Sequence, residues 1–139
     1  MEHTTEVGFP TADRSRQIAL GVALLRLAVG AVSTVQPTAL PRGLGIDSAT
    51  SGRATFITQM FASREIALAL GAGYAVLRGG PAMRPWLLAS ALADGADAVT
   101  LVSAARAGRT AKPGSYAAAA GGVVAVGAAL WAATRPTAR

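Results

Sequence analysis

Four apolar stretches divide the chain, and each is close to the length that a membrane-spanning helix needs. About 20 residues cross the hydrocarbon core of a bilayer as an α-helix. The stretches cover residues 17–36, 56–77, 86–105 and 115–134, and connecting segments that contain proline, glycine and arginine separate them. The chain has 139 residues, which suffices for one compact unit, and no break in composition marks a second domain. This pattern predicts an all-α fold of four antiparallel helices.

The distribution of charge decides between a soluble bundle and a membrane-embedded one. A soluble four-helix bundle needs a polar outer face on every helix. The segment 115–134 has no charged residue, and the segment 17–36 has only Arg26. The whole chain is only 14% charged, against about 25% in ordinary soluble domains. The sequence therefore predicts a four-helix transmembrane bundle that forms a single domain over residues 16–135.

The net charge of +6 does not indicate a nucleic-acid-binding protein. The 13 basic residues are scattered between the apolar stretches, and no basic stripe is interleaved with aromatic residues. Arginines at helix ends are typical of membrane proteins, where they anchor in the headgroup region. Six basic residues would lie on the side of the termini and five on the opposite side. The positive-inside rule thus favours, by one charge, a multi-pass protein of the cell membrane with cytoplasmic termini.

Residues 1–15 precede the first apolar stretch and are predicted to form a polar, largely non-helical tail. They contain Pro10 and show no apolar periodicity. They lack a basic stretch before a short apolar core, so they are not expected to be a cleaved signal peptide. His3 is the only histidine, and the chain has no cysteine. We therefore expect no cofactor held by histidine or thiolate ligands, and no metal, because two arginines would crowd a site made of carboxylates alone.

Five charged residues interrupt the apolar stretches, and they are the main functional signal in the sequence. They fall near the middle of three segments: Arg26 in the first, Arg64 and Glu65 in the second, Asp94 and Asp97 in the third. On insertion scales, each charge at the bilayer centre costs about 2.5–3.5 kcal/mol. Antiparallel helices bring the five to a similar depth. We therefore expect a buried Arg/Asp/Glu cluster, paired internally or lining a wet cavity.

Spacing and charge count refine the expected cluster. Asp94 and Asp97 are three residues apart and share a helix face, with Gly95 between them leaving room for a neighbouring backbone or a bound molecule. Gln59 lies five residues before Arg64 and is placed to extend the polar lining. Two arginines face three carboxylates, so one carboxyl is expected to hold a proton. Asp97, slightly nearer the midpoint of its segment, is predicted to be the drier proton carrier, while Asp94 pairs and keeps the helices in register.

Several short segments resemble a known family. They are Arg26 with Gly30, a turn containing Pro37, Pro41, Gly43 and Gly45, FASREIALALG at 61–71, and ADGADAV at 93–99. Through them, residues 18–105 resemble a family of small, mostly actinobacterial integral membrane proteins with four helices, known only as a domain of unknown function. The resemblance implies a four-helix membrane fold and the importance of the five intramembrane charges. It implies no reaction.

Three functions are compatible with these residues. No phosphate-binding loop, GxSxG elbow, HExxH or dinucleotide-binding pattern is present. We favour a cofactor-free membrane enzyme of the isomerase, cyclase or epoxide-opening type, acting on a lipophilic small molecule such as an isoprenoid, polyketide or lipid. Asp94 or Asp97 would transfer a proton, with Glu65 as the partner base. Arg26 or Arg64 would orient the carboxylates or stabilise oxyanion charge.

The two alternatives use the same charges differently. A proton-linked transporter or channel subunit would use the carboxylates as a proton relay, and with only four helices it would need a homo-oligomer. A purely structural membrane protein would use the charges as packing contacts that set helix register. Membrane lipid is an expected partner in all three cases.

Overall fold

The computed structural model describes residues 11–47, 52–79 and 82–134, and the regular structure of these ranges is entirely helical. In chain order, the helices of these ranges are α1 (Thr11–Val35), α2 (Ala39–Gly43), α3 (Thr55–Arg78), α4 (Met83–Arg106) and α5 (Lys112–Ala133). The four long helices have 22 to 25 residues and are apolar enough to cross a membrane. They confirm the predicted all-α four-helix bundle and indicate a multi-pass membrane protein.

Local sequence explains where the long helices end. α3 is followed by Gly79, whose φ of 68° lies in the left-handed region that favours glycine. Gly108, with a φ of 69°, makes the turn between α4 and α5. Pro113 lies in the first turn of α5, where its missing N–H is not needed. These turns keep consecutive long helices antiparallel and adjacent.

α1 begins at Thr11, within the segment that the sequence assigns to the polar tail. Ser15 is fully buried in the bundle, so the end of that segment belongs to the helical domain. The hydropathy pattern missed this turn of helix because residues 11–15 are polar or small, although Pro10 followed by Thr11 and Asp13 is typical of a helix start. The remainder of the predicted tail, residues 1–10, lies outside the described residues.

The proline-rich turn after α1 contains the short helix α2, which the sequence did not predict. Pro41 is buried within it. The carbonyl of Leu44, just after α2, accepts a hydrogen bond from the N–H of Ala111 at 2.8 Å. A Cβ on Gly114 would collide with the carbonyl oxygen of Gly43, so the two backbones approach closely. α2 is therefore docked on the turn between α4 and α5.

The four long helices pack as two pairs. α1 lies along α3 and α4 lies along α5, whereas the two pairs contact each other less extensively. Glycine permits the close approach within each pair. A Cβ on Gly30 in α1 would lie 2.7 Å from Ile66 Cγ1 and 3.0 Å from the carbonyl oxygen of Ala62 in α3. A Cβ on Gly122 in α5 would lie 3.2 Å from the carbonyl oxygen of Asp94 in α4.

Small residues fill the core, and large apolar residues face outward. The apolar cluster at the end of the bundle where α1 begins is dominated by alanine, with Val76, Met83 and Leu87 as its larger members. Leu92 and Leu77 are each 76% exposed. Water would disfavour this arrangement, whereas lipid tails solvate outward-facing leucines and small residues let helices approach. The packing is that of a membrane protein, and it leaves space between the pairs at the other end.

Candidate functional site

The charged side chains of α1, α3 and α4 meet in one ion-pair network, formed by Arg26, Arg64, Glu65, Asp94 and Asp97. Arg26 lies at its centre and is 4% exposed. Its Nη1 donates to Glu65 Oε2 at 2.5 Å, and its Nη2 donates to the carbonyl oxygen of Ser90 at 3.0 Å. The same Nη2 lies 2.6 Å from Asp94 Oδ2, an ion pair without the alignment of a hydrogen bond. One guanidinium of α1 thus links α3 to α4, as expected of charges that pair inside the bundle.

Arg64 forms the more exposed half of the network. Its guanidinium makes a two-pronged contact with the carboxylate of Asp97 and lies 3.3 Å from Glu65 Oε1. The guanidinium carbon is also 5.1 Å from the centroid of the Phe61 ring, which adds a cation–π contact. The side chains of Arg64 and Asp97 are 40% and 35% exposed. Those of Arg26 and Glu65 are only 5% and 6% exposed.

The predicted order of burial of the two aspartates is wrong. Asp97 was expected in the drier position, yet its side chain is 35% exposed against 15% for Asp94. The cause is the direction of each side chain, which depth along the segment does not determine. Asp94 faces the buried Arg26, whereas Asp97 reaches Arg64 where α3 and α4 contact only sparsely. Because each aspartate has its own arginine, pairing does not single out either as the proton carrier.

A cavity of about 820 Å³ lies between the two helix pairs, with the ion-pair network on its wall. Its volume falls within the range of about 300–1,000 Å³ found for small-molecule sites. Four members of the network line it: Arg26, Glu65, Asp94 and Asp97. The rest of the lining is mainly aliphatic and includes Ile18, Val22, Leu25, Ile57, Leu101 and Val124. α2 and the residues after it contribute Leu40, Pro41, Leu44 and Ile46 to the lining.

Two predicted ligand-binding residues lie away from this cavity. Gln59 is exposed and is not among the described residues that line it. Gly95 is not among them either, and a Cβ there would meet Val126 of α5 at 3.9 Å, an ordinary contact. The close approach expected at Gly95 occurs instead at Gly122, against the backbone of Asp94.

Sequence reasoning missed two contributors to the site. The carbonyl of Ser90 accepts from Arg26, and Ser90 lies one helical turn before Asp94 on the same face, a spacing visible in the sequence. The lining from α2 had a weaker signal, because Leu40 and Leu44 are four residues apart in a segment with two prolines.

Several buried polar atoms in and beside the network have no hydrogen-bond partner. Among the described residues these include Arg26 Nε, Arg64 Nε and Ser90 Oγ. An unsatisfied buried polar group costs about 1–3 kcal/mol. Over the same part of the chain, no group of three or more histidine, cysteine or acidic side chains is arranged to hold a metal ion. In the described part of the chain, the network therefore combines close ion pairs with buried arginine nitrogens that have no hydrogen-bond partner.

The fold and the site define a class of protein: a four-helix membrane protein with an Arg/Asp/Glu network on the wall of an apolar cavity. No protein-family model matches the sequence, and neither the curated proteins nor the solved structures contain a match. The resemblance to the four-helix family of unknown function thus stays a prediction.

Proposed function

We propose that this protein is a cofactor-free membrane enzyme that binds a lipophilic small molecule in the cavity and moves a proton on it. The observation that carries the proposal is the position of Asp94 and Asp97 on the wall of an otherwise mainly apolar cavity of about 820 Å³. Aliphatic walls favour the apolar body of a ligand. Carboxyl groups within reach of that ligand supply general acid and base catalysis.

Isomerisation or cyclisation fits these carboxyl groups because neither reaction needs a second reactant. A protonated carboxyl gives its proton to the substrate, breaking O–H and forming C–H or O–H. A neighbouring carboxylate then removes a proton from another carbon, so the product has the composition of the substrate. The network contains three carboxylates and two arginines, so one carboxyl proton restores neutrality. In this scheme Arg26 orients Glu65 and Asp94, while Arg64 orients Asp97.

A structural role for the network is the second candidate, and the complete pairing of both aspartates favours it. Buried ion pairs set helix register in some proteins, yet apolar replacements of similar volume are often neutral or stabilising. A network of five charges with several unsatisfied donors therefore costs more free energy than setting the helix register requires. Measurements of binding and conversion separate the two candidates.

The test compares purified variants in phosphatidylcholine nanodiscs with a lipophilic extract of cells that express the protein. Mass spectrometry of the extract before and after incubation should reveal one component converted into an isomer. The double variant Asp94→Asn/Asp97→Asn should abolish conversion. Leu101→Trp fills the cavity and should therefore abolish both binding and conversion. Thr100→Val is the matched control, because it changes the same wall without changing charge. Equal extract profiles for wild type and Leu101→Trp would refute the proposal.

A further inference from the structure

We infer that the cavity selects a lipophilic molecule carrying one positive charge, such as a long-chain ammonium, over a neutral or anionic molecule of the same shape. This inference rests on the proposed function, because it names the ligand class of the same cavity. It follows from the charge on the wall, the direction of the hydrogen-bond donors and the aliphatic remainder of the lining.

The charges on the wall are unbalanced. Among the described residues that line the cavity, Glu65, Asp94 and Asp97 are acidic and only Arg26 is basic. Arg64 compensates Asp97 but does not line the cavity. The complete network of two arginines and three carboxylates carries one excess negative charge when all are ionised, so the carboxyl proton of the proposed reaction and a bound cation compete to neutralise it. A charge of that kind in a low-dielectric site attracts a cation or a proton.

The groups that a ligand would reach are carboxylate oxygens. The Arg26 side chain is 5% exposed and its terminal nitrogens contact Glu65, Asp94 and the Ser90 carbonyl. The Asp94 and Asp97 side chains are 15% and 35% exposed. All three side chains line the cavity, and the two aspartates are more accessible than the guanidinium of Arg26.

The two threonines of the lining also present acceptors. Thr58 Oγ1 donates to the carbonyl of Ala54 at 3.3 Å, and Thr100 Oγ1 donates to the carbonyl of Ala96 at 2.8 Å. A hydroxyl that already donates its only proton can take part in further hydrogen bonds only as an acceptor. Apart from the buried guanidinium of Arg26, the polar side chains that line the cavity are acceptors, and they favour a ligand that donates hydrogen bonds.

An ammonium group meets both requirements, since it donates up to three hydrogen bonds and offsets the excess charge. An alcohol donates one hydrogen bond and leaves the charge in place. A fatty acid or a phosphate-bearing lipid would add a second uncompensated negative charge beside the first. The aliphatic lining from α1, α3 and α5 accommodates the hydrocarbon chain in all three cases.

The test uses three probes that differ only in the head group: radiolabelled decylamine, decanol and decanoate. Binding is measured by scintillation proximity on protein immobilised in phosphatidylcholine nanodiscs, with empty nanodiscs subtracted. Decylamine should bind at least about tenfold more tightly than decanol, and decanoate more weakly than decanol. Asp97→Asn makes the network neutral and should bring decylamine and decanol to within about twofold of each other.

Gln59→Leu is the control and should keep the preference of the wild type, because it changes an exposed polar side chain of α3 that is not among the described residues lining the cavity, and it removes no charge. Asp94→Asn serves as the second neutralising variant if Asp97→Asn does not fold. Equal binding of decanol and decylamine, or a preference that survives neutralisation, overturns this inference and leaves the ligand-binding cavity intact. Failure of all three probes to bind the wild type above empty nanodiscs overturns the proposed function as well.

Discussion

At Arg26, a single guanidinium contacts side chains from two other helices. Glu65 of α3 and Asp94 of α4 both lie within 2.6 Å of its terminal nitrogens, and its side chain is almost completely buried. Removing one partner of such a group leaves the others uncompensated in a low dielectric. Arg64 and Asp97 form an equally close pair, but both are more than a third exposed, and Arg64 also contacts Glu65. The two halves of the network should therefore differ in their contribution to stability.

Arg26→Leu is expected to lower the free energy of unfolding by about 3–5 kcal/mol, because it strands two buried carboxylates. Asp97→Asn should cost no more than about 1 kcal/mol, since its partner is half-exposed and also contacts Glu65. Both can be measured by circular dichroism during unfolding in the same nonionic detergent. Equal losses in the two variants would show that exposure does not separate the two halves.

The sequence was sufficient to identify the residues of the network but not their geometry. A charge in an apolar segment costs free energy unless it is paired, so all five members could be identified from hydropathy and this free-energy cost alone. Which aspartate meets which arginine depends on helix rotation, and the hydropathy of these segments leaves rotation undetermined because lipid and core are both apolar. The same lack of a polar outer face explains why Gln59 could not be excluded from the lining.

At the scale of the helices, glycine determines which faces touch. Gly30 of α1 packs closely against Ala62 and Ile66 of α3. A Cβ added to Gly127 of α5, by contrast, would have nothing within 4 Å. The sequence alone contains too many glycine and alanine residues to distinguish these cases. The contact at Gly30 is one that a single methyl group would disturb.

Gly30→Ala should lower the free energy of unfolding by about 1–3 kcal/mol, because its Cβ would lie closer to Ile66 and Ala62 than packed atoms allow. Gly127→Ala is the matched control and should be neutral or stabilise the helix by up to about 1 kcal/mol. Thermal unfolding of both variants in one detergent provides the comparison. A loss at position 127 equal to that at position 30 would mean that helix–helix contact is not the cause.

α2 was missed because five residues with two prolines close by have no helical signal of their own. Such a short helix is stable only when it is docked on other elements. Here the docking contacts are the hydrogen bond from Ala111 to Leu44 and the close approach of Gly43 to Gly114.

Gly114→Ala should loosen α2, since its Cβ would collide with the backbone of Gly43. The expected result is faster amide hydrogen exchange over residues 39–46, measured by mass spectrometry in nanodiscs. Gly127→Ala again provides the control, with exchange over those residues unchanged. Unaltered protection in Gly114→Ala would show that α2 is held by other contacts than this one.

At the scale of the whole molecule, the arrangement of apolar residues is the reverse of a soluble bundle. Alanine fills the contacts between helices and large aliphatic residues cover the outside. This pattern, together with four helices of spanning length, is what made the fold predictable from the sequence. A cavity beside the charges was one of the expectations from the sequence, but its size and lining were not predictable, because they depend on how far apart the two pairs lie, which no residue pattern specifies.

The predicted orientation in the membrane depends on a difference of one charge, with six basic residues on the side of the termini and five on the opposite side. This count assumes that the turn after α1 and the turn after α4 lie on the same side of the membrane. The structure supports this assumption, since the contact between Leu44 and Ala111 joins the two turns. Single cysteines report the outcome directly, because the chain has none of its own. Ala82→Cys, before α4, and Ala107→Cys, after it, leave every charge in place and occupy exposed positions.

We expect a membrane-impermeant maleimide added to intact cells to label Ala107→Cys but not Ala82→Cys, because the positive-inside rule places the richer side in the cytoplasm. Permeabilised cells should label both. The reverse pattern would establish the opposite orientation. Labelling of both variants in intact cells would contradict α4 as a membrane span. If the expected pattern holds, adding one arginine at Ala111 would equalise the two sides at six, and the labelling should then become mixed, since a preference of one charge would have been removed.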